Sequence, residues 1–362
     1  MLFRGAALWR EKGEPARWVE DIDLKIEGGT VRRVPRTQTS ADLEGWMLPG
    51  LVDAHCHIGI DKTGPRQDSD LLAQQARVAH HSGVLLVRDC GLPFDNRAVN
   101  EQRDGVRLLH CGQHIAKYKR YIRGLAVEVE RDADLPQQMA YQARRSDGWI
   151  KLVGDWIDRA DGADSTLHPL FSTEALKDGV QAAHEAGARV TVHTFARATI
   201  ESLLEARVDC IEHGTGMTLS QMREAAQLGI AVTPTIIQVD LFPSFASSAG
   251  TKYPVYRDDM RGLYADYPQT LRNFAESGLT LLPGTDSGSF QPHGSIAKEI
   301  MAFTRMGLTN TQILDRVTWQ ARDFLGFPSL SDGEAAHAVV YDRDPREDLS
   351  VLASPHRVVY EG

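Results

Sequence analysis

The sequence predicts an α/β fold: a (β/α)8 TIM barrel, with a small β-sandwich domain formed by the N- and C-terminal segments. Three observations point there. Eight apolar, strand-like runs recur between Met47 and Asp286, most followed by helical periodicity. Both ends of the chain read instead as short strands and turns. Metal-ligand residue types recur where the central strands end. The expected division is residues 1–46 plus 332–362 for the small domain and 47–331 for the barrel, since chain ends often lie close together.

In chain order, Trp18–Ile26 partly alternates, Glu27-Gly28-Gly29-Thr30 makes a turn, and Val31–Val34 resumes, the signature of a hairpin. Gly28-Gly29 lacks the strand-to-helix setting of a nucleotide loop. The first barrel strand is Leu48–Ile58. Pro49 and Gly50 punctuate its start, and its small apolar residues suit a strand covered on both faces. Gly83–Asp89, Val106–Cys111, Trp149–Val153, Ala188–His193, Cys210–His213, Ile230–Thr235 and Leu279–Asp286 follow. Between them, Thr173–His184 sets Leu176, Val180 and Ala183 on one helical face and stops at Gly187. Thr218 opens another helix that stops at Gly229. At the C-terminal end, Ala338–Tyr341 and Arg357–Tyr360 flank a turn, Asp342–Arg346.

Hydrophobic residues make up 42% and charged residues 25% of 362, as in a soluble globular protein. A net charge of −9 argues against a nucleic-acid partner. No apolar run is long enough to span a bilayer, so no membrane partner is expected. No signal peptide is indicated, and four scattered cysteines (Cys56, Cys90, Cys111, Cys210) make no disulfide framework. A reducing cytoplasm is the expected location. The expected partner is a small-molecule substrate, with a homo-oligomer left open.

Strand alternation points His55 and His57 to one side and Cys56 to the other, towards the helices. Two imidazoles at one strand end can grip a metal ion, although His-x-His alone is a weak signal. Later strands strengthen it. The fourth offers Lys151, the fifth His193, the sixth His213 and the eighth Asp286, and a barrel's active site lies at these strand ends. Neutral imidazoles and carboxylates ligate Zn²⁺ and similar ions. An ammonium is no ligand, but a lysine amine can take up CO₂ as a carbamate whose two oxygens bridge two ions. A lysine at a strand end is otherwise often a solvated residue. His80, His81, His110, His168, His184 and His337 read as surface or packing residues.

Three segments carry a family resemblance: Pro49–His57, Ile211-Glu212-His213-Gly214 and Pro283–Gly288. The chain resembles the amidohydrolase superfamily, within it the imidazolonepropionase-like and prolidase-like branch, over essentially its whole length. The resemblance implies that His55 and His57 hold the more buried ion with Asp286, and that His193 and His213 hold the other. It implies that carboxylated Lys151 bridges the two divalent ions, expected to be Zn²⁺, and that the small terminal β-domain is present. Some relatives carry a tyrosine directly after the fifth-strand histidine, where this chain has Thr194. The family's Thr-Gly-Gly-His loop stands here as Cys111-Gly112-Gln113-His114, which leaves His114 either contacting the substrate carbonyl or packing the loop.

The implied activity is hydrolysis of an amide or cyclic amide bond, in a dipeptide, N-acyl amino acid or related small molecule. Metal-bound hydroxide attacks the carbonyl, and Asp286 acts as general base and then acid. The alternatives are a mononuclear deaminase of a heterocycle, a lactone or ester hydrolase, and a catalytically silent scaffold. For substrate contacts the sequence offers His114 and His293, and a basic stretch with Lys117, Lys119, Arg120 and Arg123. Of these, Lys117 and Arg120 are the leading candidates to anchor a substrate carboxylate. The competing reading of such a run is a solvated surface.

Overall fold

Both ends of the chain contribute to one six-stranded sheet in the computed structural model, which describes residues 1–360. Across the sheet the order is Arg357–Val359, Ala338–Tyr341, Leu43–Pro49, Leu2–Trp9, Arg17–Glu27, Thr30–Val34. The last two form the expected hairpin. Gly28 (φ 55°) and Gly29 (φ 73°) supply the paired positive φ that its two-residue turn demands. A sandwich of two sheets was expected, and a single sheet is found. Successive residues explain the difference. Ala338 and Val340 join Phe3, Leu24 and Met47 in a cluster of the sheet's own. Val339 and Tyr341, pointing the other way, join Leu8 and Leu48 in the main core. The larger body therefore covers the face that a second sheet would cover. The strand Leu43–Pro49 also runs across the 46/47 boundary drawn from sequence.

The larger part is mixed α/β. Leu51–Cys56, Val84–Asp89 and Arg107–His110 form a parallel sheet. A second parallel sheet runs Val127–Val129, Ile115–Lys117, Trp149–Val153, Arg189–Thr194, Cys210–His213, Ala231–Thr233. The predicted eighth strand is not a regular one, because Pro283 lacks the N–H that a ladder needs. Its backbone still bonds both sheets. Leu282 N–H donates to Val232 O (2.9 Å), and Ala54 N–H donates to Pro283 O (2.8 Å).

Helices follow the strands. Thr173–Glu185 starts where the Ser172 hydroxyl accepts Ala175 N–H, and it buries Leu176, Val180 and Ala183. Leu219–Gln227 opens on a capping box of Thr218 and Gln221. No helix among the described residues is long and apolar enough to cross a membrane. All four cysteines are buried and free.

One irregularity in the first strand shapes the site. Val52 and Ala54 pack inward with Leu86, Trp149 and Cys210. Strict alternation would then turn Cys56 inward and the two histidines outward. The pairing instead shifts between Asp53 and Cys56, three residue steps lying against two of Val87–Asp89. This bulge reverses the parity. Cys56 joins the outer core, as expected from sequence, and His55 and His57 turn towards the other strand ends.

Candidate metal centre

The six strand-end residues expected to act together meet in one place. His55 Nε2 lies 3.3 Å and His57 Nε2 3.2 Å from Asp286 Oδ1. His193 Nδ1 faces His213 Nε2 at 2.9 Å. The rings of His55 and His213 are 5.1 Å apart, and donor atoms of His55, His213 and Asp286 all lie within 4.8 Å of one another. Lys151 is 1% exposed, and its Nζ has no hydrogen-bond partner.

Two of the rings are oriented from behind. His55 Nδ1 bonds Glu212 Oε2 (2.7 Å), and His213 Nδ1 bonds the Thr235 hydroxyl (2.6 Å). Each contact frees the other ring nitrogen to face the cluster, as outer partners of metal-ligating histidines do. Burial and the Lys151 charge push the His193 ring down to about 3. Burial and the neighbouring His193 likewise hold His213 well below the usual imidazole range. Asp286 moves the other way. Burial opposes its charge, but the charge and hydrogen bond of His55, with a bond from His57, hold it well below the usual carboxylate range. The result is neutral rings at His193 and His213 and an ionised carboxylate, while against burial the neighbouring Cys90, Asp286 and Glu212 hold His55 well above the usual imidazole range.

These donors fit divalent ions. His193 Nδ1 and His213 Nε2 share one hydrogen bond, its donor set by the tautomer, and both nitrogens face the cluster where a cation would take their lone pairs. An orphaned buried ammonium is costly, and carboxylation would make Lys151 an anionic ligand. The backbone carries strain at the same place. His213 (φ 69°), Thr235 (φ 45°) and Asp286 (φ 55°) are left-handed non-glycine residues, each costing about 1–3 kcal/mol.

Sequence reading missed the residues behind this cluster. Glu212 and Arg88 are fully buried and paired at 2.6 Å. Glu212 also accepts from Thr191, and Arg88 donates to Ala54 O (2.8 Å). Glu212 sits inside a motif that had been noticed, yet its partners are distant in sequence. Thr194, where some relatives carry tyrosine, is buried and donates to Asp155.

The expected substrate contacts lie around this cluster in different settings. His114 is fully buried, stacked on His57 at 5.3 Å, with neither ring nitrogen bonded. Lys117 is paired with Asp132 and Arg120 with Asp158. His293 Nδ1 lies 3.7 Å from Cys56 Sγ. None of these four lines the cavity above the cluster. That cavity, about 660 Å³, has His55, His57, His193 and Asp286 at its floor. Arg123, from the same basic stretch, is on its wall.

Comparison with known proteins shows the family and the fold. Uncharacterized proteins of Mycobacterium tuberculosis and Mycobacterium bovis are 44% identical over 342 residues, covering 94% of this chain and 91% of each relative. Among solved structures, a Xaa-Pro dipeptidase with bound methionine superposes with a TM-score of 0.79 at 22% identity, covering 100% of both chains. An ochratoxinase from A. niger gives 0.78 at 19% identity, covering 99% of this chain and 92% of that one. The amidohydrolase family model matches residues 46–362, and the chain belongs to that family.

Proposed function

We propose that this protein is a metal-dependent hydrolase of amide or cyclic amide bonds in small molecules such as dipeptides or N-acyl amino acids. One observation carries the reading. A buried lysine amine without a hydrogen-bond partner sits among four histidines and an aspartate beneath an open cavity. In this reading His55 and His57 hold one ion with Asp286, and His193 and His213 hold the other. Lys151, carboxylated at Nζ by CO₂ with release of a proton, would supply an anionic ligand beside these residues. Two divalent ions, Zn²⁺ in this proposal, would when bound polarise a carbonyl and lower the pKa of water.

The chain's own part is to position and to move protons. Asp286 Oδ1 faces the two first-strand imidazoles, while Oδ2 makes no hydrogen bond among the described residues and is open to the cavity side. Asp286 accepts the proton of the attacking water and delivers it to the leaving nitrogen. Glu212 and Thr235 hold the His55 and His213 rings in register.

The compact triad of His55, His213 and Asp286 would suit a single ion, and so a mononuclear deaminase. Lys151 favours the two-ion reading. We also read the two parallel sheets, joined through residues 280–286, as one (β/α)8 barrel, and 1–46 plus 332–362 as a separate small β-domain. The backbone bonds from that segment to both sheets support the barrel. A cytoplasmic location, a small-molecule partner and no nucleic-acid or membrane partner complete the proposal. Free cysteines and negative charge support it.

Its test is hydrolysis of a panel of dipeptides, N-acyl amino acids and lactones by Zn²⁺-loaded protein, alongside Lys151→Ala. Amide cleavage lost in the variant is the expected result. Cleavage that survives complete metal removal would overturn the reading.

A further inference from the structure

The cavity above the cluster has two chemically distinct parts. Its wall is aromatic. Of the chain's 11 Phe, 9 Tyr and 6 Trp residues, seven line this one space. The Phe195 and His193 ring centres lie 4.4 Å apart on the floor, and Phe245 meets the exposed Phe290 edge to face at 5.1 Å. Across from them Tyr121 and Trp156 meet edge to face at 4.7 Å. Phe290 is 59% exposed, although it lines the space. A volume of about 660 Å³ lies within the range of pockets that bury a drug-sized ligand.

The rim is cationic in an otherwise acidic protein. Lys62, Arg123 and Arg159 line the cavity, all exposed, and none has an ion-pair partner among the described residues. The carboxylates beside them are already taken. Asp61 is paired with Arg66 at 2.9 Å, and Asp158, next to Arg159, is held by Arg120. Of the other basic side chains of the 114–124 stretch, Lys117 is neutralised by Asp132 and Arg120 by Asp158, and Lys119, whose ammonium lies over the Tyr118 ring, does not line the cavity. Two guanidiniums with free donors can take a carboxylate in bidentate fashion, which an isolated ammonium cannot.

We propose that Arg123 and Arg159 read an anionic group on the substrate, and that the aromatic wall holds a bulky aromatic or branched apolar group next to the scissile amide. The inference rests on the hydrolase reading and adds the substrate class: N-acyl amino acids or related amides that carry an aromatic group and a carboxylate. Lys62 adds to the field that draws the anion in, so encounter slows as salt rises.

Full-length, Zn²⁺-loaded protein tests this by calorimetric titration with N-benzoyl-L-phenylalanine, its carboxamide and N-acetylglycine. Hydrolysis is followed separately on the same samples. The acid is expected to bind about tenfold more tightly than its carboxamide. Arg123→Met and Arg159→Met should each remove most of that preference while changing carboxamide affinity less than about twofold. N-acetylglycine, which keeps the carboxylate but lacks aromatic rings, should bind more weakly than the benzoyl compound. Both arginines are exposed, so the variants should keep the parent's Tm and metal content.

Equal affinity for acid and carboxamide, or a preference untouched by either replacement, overturns the proposal. Amide hydrolysis in that case leaves the hydrolase reading standing. An arginine-dependent preference for the acid with no amide hydrolysed supports the anion site and removes the hydrolase reading instead.

Discussion

Arg88→Met is the sharpest perturbation of the layer beneath the ligands. Arg88 Nη2 and Glu212 Oε1 are 2.6 Å apart, and both side chains are 0% exposed. The Arg88 charge holds the Glu212 carboxylate well below the usual range, against the opposing effect of burial. Methionine fills much of the same space but strips that buried carboxylate of its guanidinium, leaving it only the His55 ring and the Thr191 hydroxyl. Breaking a buried pair by removing one partner costs about 3–5 kcal/mol. The guanidinium also lies 4.5 Å from the Trp149 ring, a contact that is lost too. With about 2.1 cal/mol/K of unfolding entropy per residue, a chain of this length gives roughly 0.8 kcal/mol/K. A loss of about 4 kcal/mol therefore lowers Tm by about 5 °C.

Scanning calorimetry on chelated protein reads this without metal linkage. The double variant Arg88→Met/Glu212→Gln removes the stranded charge and should recover most of the lost Tm. Metal affinity should not recover, because His55 Nδ1 has then lost its carboxylate, and about 10–100-fold weaker binding follows. A Tm change under about 1 °C in the single variant, or no recovery in the double, would refute the reasoning.

Asp286→Asn keeps the shape but cannot accept the proton; turnover should fall by about 10²–10⁴-fold with much of the metal retained, checked by kcat beside metal analysis. Gly284→Ala would set a Cβ 2.4 Å from Thr233 Cγ2 and 2.8 Å from His55 Cβ; overpacking of about 1–3 kcal/mol and weaker metal binding should appear in melting and metal titration. Glu299 is fully buried, caps the Ile236 and Ile237 N–H groups, and burial pushes its carboxyl up to about 8. Its unfolded carboxyl ionises near 4.5, so between about pH 4.5 and 8 the unfolded chain binds fewer protons. Stability should fall as pH rises through that window, by about 5 kcal/mol at most, and Glu299→Gln should flatten the denaturation profile; parallel profiles would contradict this.

The cluster was legible because His55, His57, Lys151, His193, His213 and Asp286 lie within or just past apolar strand-like runs, and such runs can be located from local patterning. Helix starts at Ser172 and Thr218 are also local chemistry, written within three or four residues. The residues behind the cluster follow a different rule. Glu212 meets Arg88 across 124 positions and His55 across 157, so strand order, not spacing, brings them together. The pairings within the basic stretch were hidden for the same reason. Lys117 and Arg120 are neutralised by Asp132 and Asp158, whose proximity depends on the folded loops. The single terminal sheet did leave a trace. Ala338–Tyr341 carries no polar residue, the mark of a strand covered on both faces.

The central claim is that the buried cluster holds two divalent ions through a carboxylated lysine. Its most direct test is metal analysis by mass spectrometry on chelated, Zn²⁺-reloaded protein in bicarbonate buffer, wild type beside Lys151→Ala and His213→Ala. The account predicts about two ions per chain in the wild type, fewer than one in either variant, and amide hydrolysis that returns in step with metal. A wild type that takes up no metal, or a Lys151→Ala protein that still binds the full complement, would contradict it.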